Sequence, residues 1–378
     1  MNRAALGWIA LLGACDRGGH ADKLPPPRPA IPVAQAPVAK PPPPLPPVDG
    51  KGLYTKLCAV CHAADGKGDA ADHAPSLVTT TFLESASNSF ILSSILNGRA
   101  GTSMGAYAKT IGGPLESREA EGIVAYLRTL NPTTTATLKQ PPRGHAEAGA
   151  PIYQAQCQAC HGDAKTRGVG ISLANPQFQQ TATDAFLLYA IQHGRPGTKM
   201  PPFPLTDEQA GDVIAYVRSI GAAATEARLL PPPTGNEPLV INPKGAMPPF
   251  TPRLEGTDPR YVPAAQVKAA LDAKQRVVII DARPPSEWRQ QHIPGAVSIP
   301  YHDMKRLSDI PKDGTWVIAY CACPHHLSGI VVDQLRALGY THSAILDEGI
   351  LEWQRRGYPI VLGEGIPRPP RDMTQSPP

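Results

Sequence analysis

Two Cys-x-x-Cys-His pentapeptides, Cys58-Ala59-Val60-Cys61-His62 and Cys157-Gln158-Ala159-Cys160-His161, take four of the seven cysteines of this chain. Two thiols three residues apart on a helical turn reach the two vinyl positions of a porphyrin, and the histidine that follows aims its imidazole at the iron; this is the attachment signature of c-type haem. The pattern predicts an electron-carrying chain with two covalently bound haem c groups. Cys58, Cys61, Cys157 and Cys160 are the thioether sulfurs, and His62 and His161 the proximal iron ligands. Dithiol chemistry and zinc binding are the competing readings of such pairs. The first needs a βαβ setting that neither site offers, and the second needs two more ligands at regular spacing.

The surroundings of the pentapeptides repeat as well. A short helical segment containing Tyr54 or Tyr153 precedes each motif. An apolar helix follows (90–96 or 186–191), and each unit closes in a helix with apolar residues at three- and four-residue spacing (121–128 and 211–218). Between these helices runs Gly-Arg-x-Gly-Thr-x-Met, which ends at Met104 in one unit and Met200 in the other. A buried methionine is usually packing, but the matched position in two copies marks Met104 and Met200 as the second axial ligands. On these residues both units resemble class I bacterial cytochrome c domains over most of 50–220. The resemblance implies all-α folds around a low-spin His/Met-ligated iron, with respiratory electron donor and acceptor proteins as partners. With both axial positions filled, no coordination position is left for a substrate. Tyr126 and Tyr216 read as packing, and His73, His145 and His193 as loop or surface residues, His193 near the haem edge.

Length and proline content set the organisation. The 378 residues suffice for several domains, and 45 prolines, many in runs, predict separate small domains on stiff tethers. Residues 1–14 read as a secretory signal too short to span a membrane. Leu-Gly-Ala before Cys15 resembles the bacterial lipoprotein box, which implies lipidation of Cys15, a membrane surface as partner and a location on the periplasmic side; a plain signal peptide is the alternative. The expected order is a Pro-rich tether to 49, helical domains at 50–131 and 145–222, a Pro-rich linker at 223–260, an α/β domain at 261–362 and a flexible tail at 363–378. A net charge of +4 on dispersed residues makes no case for nucleic acid.

In the last domain, buried-strand patterns at 277–280 and 316–320 alternate with helical patterns at 264–271 and 329–338. The strand at 316–320 delivers Cys321 to a loop entering a helix near Ser328. Together with Asp281-Ala282-Arg283, His292-Ile293-Pro294-Gly295 and Trp353, this resembles a rhodanese domain with a parallel sheet. The resemblance implies sulfurtransferase chemistry: a thiolate at Cys321, stabilised by loop N–H groups and a helix N-terminus, carrying sulfane sulfur as a persulfide. The loop Cys321-Ala322-Cys323-Pro324-His325-His326-Leu327-Ser328 departs from the family pattern. It is one residue longer and has no arginine to hold thiosulfate. Cys323 is a candidate resolving thiol or partner in a disulfide, and His325 and His326 are candidates for positive charge or proton transfer. Asp281 and Arg283 read as loop support or as a structural ion pair, and His292 as orienting its turn. The alternatives stay open between an electron carrier with a sulfur-binding accessory domain, a sulfur-oxidising enzyme with the haem domains as its electron outlet, and a degenerate rhodanese module used for docking.

Overall fold

The computed structural model describes residues 46–69, 74–221, 228–322, 325–366, 369 and 371–372. The signal segment, Cys15, most of the tether, Cys323 and the end of the tail lie outside them. In the first repeat, α1 (Gly50–Leu57) runs into α2 (Ala59–His62), followed by α3 (Thr80–Ser85), α4 (Asn88–Asn97) and α5 (Ser117–Leu130). The second repeat has the same order: α6 (Ala146–Gln156), α7 (Gln158–His161), the two-residue strand β1 (Thr166–Arg167), α8 (Pro176–Thr181), α9 (Asp184–His193) and α10 (Asp207–Ile220). Side chains set the helix starts. Ser87 accepts from the N–H of Phe90 and Thr183 from that of Phe186, while Glu116/Glu119 and Thr206/Gln209 form capping boxes on the terminal helices.

The first and last helices of each repeat cross with nothing between their backbones. A Cβ added to Gly50 would lie 2.0 Å from the carbonyl oxygen of Gly122, and one added to Gly149 would lie 2.0 Å from that of Asp212. This close approach brings Tyr54 against Tyr126 (ring centroids 5.4 Å) and Tyr153 against Tyr216 (5.1 Å). At the far end of the last helix, Arg128 bonds the carbonyls of Leu83 and Ala86, and Arg218 those of Gln179 and Ala182. These are matching positions, and they fasten the middle helices to the terminal one.

The two repeats pack on each other through their middle helices. Phe90 and Phe186 lie 4.9 Å apart, and Phe82 and Phe178 complete an edge-on cluster around them. The Thr81 hydroxyl donates to the carbonyl of Gly194 (2.8 Å), and the Asn175 amide to that of Ala100 (3.0 Å).

The remaining elements are β2 (Arg253–Glu255), β3 (Asp258–Val262), α11 (Ala264–Asp272), β4 (Val277–Asp281), α12 (Pro285–Gln290), β5 (Gln291–His292), β6 (Val297–Ser298), β7 (Trp316–Tyr320), α13 (His326–Ala337), β8 (Ser343–Leu346), α14 (Gly349–Arg355), β9 (Val361–Leu362) and β10 (Arg371–Asp372). Six strands form one sheet in the order β2-β3-β8-β7-β4-β6, every neighbouring pair parallel except β2 with β3. Helices cover both faces. Val278 and Ile280 of β4 pack in one core with Val331 and Leu335, while Val277 and Ile279 pack in the other with Val267 and Trp353. A strand buried on both sides reads as an unbroken apolar run, as β4 does. The expected fold is present: two helical domains followed by an α/β domain with a mostly parallel sheet. Outside that sheet, β5 pairs antiparallel with β9, and β1 pairs in parallel with β10.

Three expectations change. The sheet begins inside the segment read as linker, at β2, whose three residues are all exposed; Pro259 interrupts β3, as an edge strand tolerates. Helix α13 starts at His326, ahead of Ser328. The described residues from 47 onward make one compact unit where tethered domains were expected, and the Pro-rich stretch is held to it at several points. Leu230 N–H donates to Arg289 O, Ile241 N–H to Val277 O, and Glu237 pairs with Arg306. No described helix is long and apolar enough to cross a membrane.

Replacing Gly50 or Gly149 by valine forces these helices apart. Either change is expected to cost about 1–3 kcal/mol or more by overpacking, whereas Ala148→Val, on an exposed position one residue away, costs about 0.5 kcal/mol through helix propensity; denaturant melts compare them.

Candidate functional site

The helix crossing fixes the turn that carries each Cys-x-x-Cys-His pentapeptide. Tyr54 donates its hydroxyl proton to the carbonyl of Ala63 (2.8 Å), and Tyr153 to that of Gly162 (2.7 Å). The imidazole of His62 places Nδ1 3.1 Å from the carbonyl oxygen of Pro75, and His161 places Nδ1 2.8 Å from that of Ile171. A carbonyl only accepts, so Nδ1 carries the proton and Nε2 keeps its lone pair for an iron. Burial pushes both histidines below their ordinary pKa, with the carbonyl bond opposing. None of the four motif cysteines is in a disulfide, and burial raises the pKa of Cys58 to about 12 and that of Cys157 to about 11. Among the described residues no three His, Cys, Asp or Glu side chains converge on one ion. A single oriented imidazole beside two cysteines outside any disulfide is the donor set that a covalently held porphyrin needs, and the residues fit haem c.

The methionine loops are copies of each other. In the first, Arg99 N–H donates to Met104 O (2.8 Å) and Thr102 Oγ1 to Arg99 O (2.7 Å); in the second, Arg195 N–H donates to Met200 O (2.8 Å) and Thr198 Oγ1 to Arg195 O (2.7 Å). Gly98 and Gly194 start them at φ 61° and 59°, where glycine is strain-free. Each loop also holds a half-buried arginine with no carboxylate partner among the described residues. Arg99 lies over the rings of Phe90 and Phe178, and Arg195 over those of Phe82 and Phe186, so each guanidinium stacks on both repeats. Burial lowers both to about 10, and Nη1 of Arg99 has no hydrogen-bond partner. An orphaned buried N–H is costly, and porphyrin carboxylates are anions able to satisfy it.

In the α/β domain, Cys321 follows β7 directly and is fully buried, its Sγ 3.3 Å from Ser328 Oγ in the first turn of α13. The two loop histidines diverge. His325, at φ 90°, turns its Nε2 to the backbone and side chain of Asp347 (3.0 and 3.1 Å) and stacks on Tyr261. His326 points the other way, its Nδ1 4.0 Å from Sγ of Cys61 in the first repeat. Asp281 and Arg283 form a fully buried bidentate pair (2.9 and 2.7 Å) to which Tyr320 donates its hydroxyl. Burial opposes the charge on Arg283, but the adjacent carboxylate prevails and holds it well above its usual range. His292 accepts the orienting role: its Nδ1 lies 2.9 Å from Trp288 O and its ring stacks on that indole. His193 stacks on Tyr189, and Glu348 accepts from the N–H of Ala264 and pairs with Arg356.

A junction joins the first repeat to this domain through residues of which the sequence pattern had singled out only Glu287. Tyr107 and Tyr301 both donate to Leu57 O (3.2 and 2.9 Å), one residue before Cys58. Ser286 donates to Ala106 O, and Glu287 accepts from Ala106 N–H (3.2 Å), two residues after Met104. Each side chain is ordinary by itself, and only the fold brings them together. His302 sits beside Lys56 with Nδ1 buried and unpartnered; burial, then that lysine, lower it to about 4.

Comparison with known proteins divides the chain in the same way. The cytochrome c family model matches residues 47–131, the model for cbb3-type cytochrome c oxidase subunit III matches 144–217, and the rhodanese-like domain model matches 263–356. A sulfurtransferase of Allochromatium vinosum is 38% identical over 93 residues, 24% of this chain and 82% of its own. Cytochrome c6 of Synechococcus elongatus is 36% identical over 78 residues, 18% of this chain and 83% of its own. Subunit CcoP of the cbb3-type cytochrome c oxidase of Azospirillum brasilense is 26% identical over 189 residues, 46% of this chain; the match spans 61% of that subunit's length.

The lowered pKa of His302 has a direct consequence for acid stability. From about pH 6.5 down to the folded value, the unfolded chain takes up a proton that the folded chain refuses, so stability falls through that window and is unaffected above it. His302→Gln is expected to flatten this part of the acid limb, read by denaturant unfolding at neutral pH and at about pH 5.

Proposed function

We propose that this chain, which belongs to the cytochrome c family in its first helical domain and to the rhodanese-like family in its last domain, is a dihaem electron carrier with an accessory sulfur-binding domain. The observation that carries the reading is the repeated imidazole, oriented through Nδ1 by a backbone carbonyl at both pentapeptides. Cys58 and Cys61 would hold one haem c and Cys157 and Cys160 the other, with His62 and Met104 as protein ligands to the first iron and His161 and Met200 to the second. A porphyrin iron so held supplies one-electron exchange, and thioether ligation favours its reduced form. The protein's share is to fix the imidazole plane, to present the methionine from a Gly-Thr-x-Met loop and to offer Arg99 and Arg195 as counter-charges. Likeness to an oxidase subunit supports respiratory donor and acceptor proteins as partners, on the periplasmic side of a membrane. Lipidation at Cys15 would tether it there.

At Cys321 the chemistry would be sulfur transfer. The thiolate attacks a sulfane sulfur, the new S–S bond forms as the donor's bond breaks, and the remainder of the donor leaves with the electron pair; an acceptor thiolate then takes the sulfur and restores Cys321. No arginine in the loop favours thiosulfate. Cys323, His325 and His326 were candidates for assisting. The turn of His325 toward Asp347 leaves His326 as the histidine on the side of the first repeat. That contact also favours a second reading, a sulfur-oxidising enzyme. Joining the Cys321 thiolate to hydrosulfide forms one S–S bond and releases one proton and two electrons, one for each cytochrome domain to carry away.

The near-infrared sulfur-to-iron band of the ferric protein tests the axial pairs. Met104→Ala and Met200→Ala are each expected to remove about half of it, and a band untouched by either change contradicts the assignment. Cys321→Ser separates the two readings: sulfide-driven reduction of the cytochrome domains persists in it for an independent carrier and is lost for the coupled enzyme.

A further inference from the structure

The first turn of α13 faces two sites at once. His326 meets Sγ of Cys61, and Ser328, two residues on, meets Sγ of Cys321. One sulfur is an attachment point of the first repeat and the other is the nucleophile of the last domain.

Among the described residues the α/β domain sets no such pair against the second pentapeptide; the strand that reaches the second repeat, β10 against β1, comes from the tail. Val60 and Cys61 are half-buried, whereas their counterparts Ala159 and Cys160 are exposed; Gly105 and Ala106 after the first methionine are buried, whereas Pro201 and Pro202 after the second are exposed. The position matching Tyr107, whose hydroxyl bonds Leu57 O beside Tyr301, is Phe203, which has no hydroxyl to donate. Duplication made the repeats alike within, and docking of the α/β domain on one of them made them unlike at their surfaces.

We propose that His326 and Ser328 join the sulfur site at Cys321 to the first repeat alone, so that a sulfane sulfur held on Cys321 lowers the reduction potential of the first haem site and leaves the second, exposed one unchanged for external partners. The inference rests on haem attachment at both pentapeptides and on persulfide formation at Cys321. Loading replaces the Cys321 sulfhydryl, whose proton leaves with the shortened donor, by a persulfide anion, and so adds negative charge to a fully buried position. In a medium of low dielectric that charge is felt across the junction, and it favours the more positive, oxidised state of the neighbouring site. Coupling of this kind is reciprocal: the oxidised first site holds sulfur on Cys321 more tightly than the reduced one does.

The test is voltammetry of the haem-loaded full chain before and after inorganic polysulfide donates one sulfur atom to Cys321, leaving a polysulfide one atom shorter, with excess removed and loading counted by intact mass. One of two waves is expected to move to lower potential. Met104→Ala should displace the wave that moves, and Met200→Ala the wave that does not. His326→Ala, and the milder His326→Gln should alanine unsettle the loop, are expected to shrink the shift while sulfur loading is retained. Movement of both waves or of neither, assignment of the moving wave to Met200, or a full shift in both His326 variants overturns the inference alone. A chain that takes up no haem, or whose Cys321 accepts no sulfur, overturns the underlying reading and the inference with it.

Discussion

Each helical domain depends on one contact that has no side chain in it: the backbone of Gly50 or Gly149 resting on a carbonyl of the terminal helix. That approach sets the depth at which Tyr54 and Tyr153 enter, and their hydroxyls hold the turn that follows each Cys-x-x-Cys-His. The imidazole then finds its carbonyl, and the thiols stand on the turn before it. Local chemistry decides which residues can bind a porphyrin. The helix crossing decides that they stand still.

A second constraint works between domains. Two copies of one fold present two copies of every surface, and a protein that uses them differently must cover one. Here the α/β domain does so, with Tyr301 against Leu57, Ser286 and Glu287 against Ala106, and His326 against Cys61. The same junction sets the first turn of α13 against both Cys61, through His326, and Cys321, through Ser328. The opposite flank of the first repeat is taken by the second, through the phenylalanine cluster and the two arginines stacked across it.

Much of this was legible in the sequence, for physical reasons that also explain what was not. The Cys-x-x-Cys-His signature is a fixed local spacing, so Cys58 to His62 and Cys157 to His161 stand out without a fold. Strands β4 and β7 are apolar runs because both faces are buried. By contrast, β2 is exposed and charged and β3 carries Pro259, so neither looks like a strand until the sheet is there to pair with. The arginines of the Gly-Arg-x-Gly-Thr-x-Met loops were visible as a pattern, but their burial between two repeats was not. Tyr301, Ser286 and His302 gave no signal, since their meaning lies wholly in what the fold sets beside them. The prolines misled in the opposite sense. They predicted tethers, yet backbone bonds from Leu230 and Ile241 pin that stretch to the α/β domain.

The most direct measurement is the intact mass of the chain matured in a host competent for cytochrome biogenesis, with thiol alkylation under denaturing conditions. The expected result is a mass raised by two porphyrins, with Cys58, Cys61, Cys157 and Cys160 all closed to the alkylating agent. An unmodified mass with those four thiols open would contradict the reading of both helical domains.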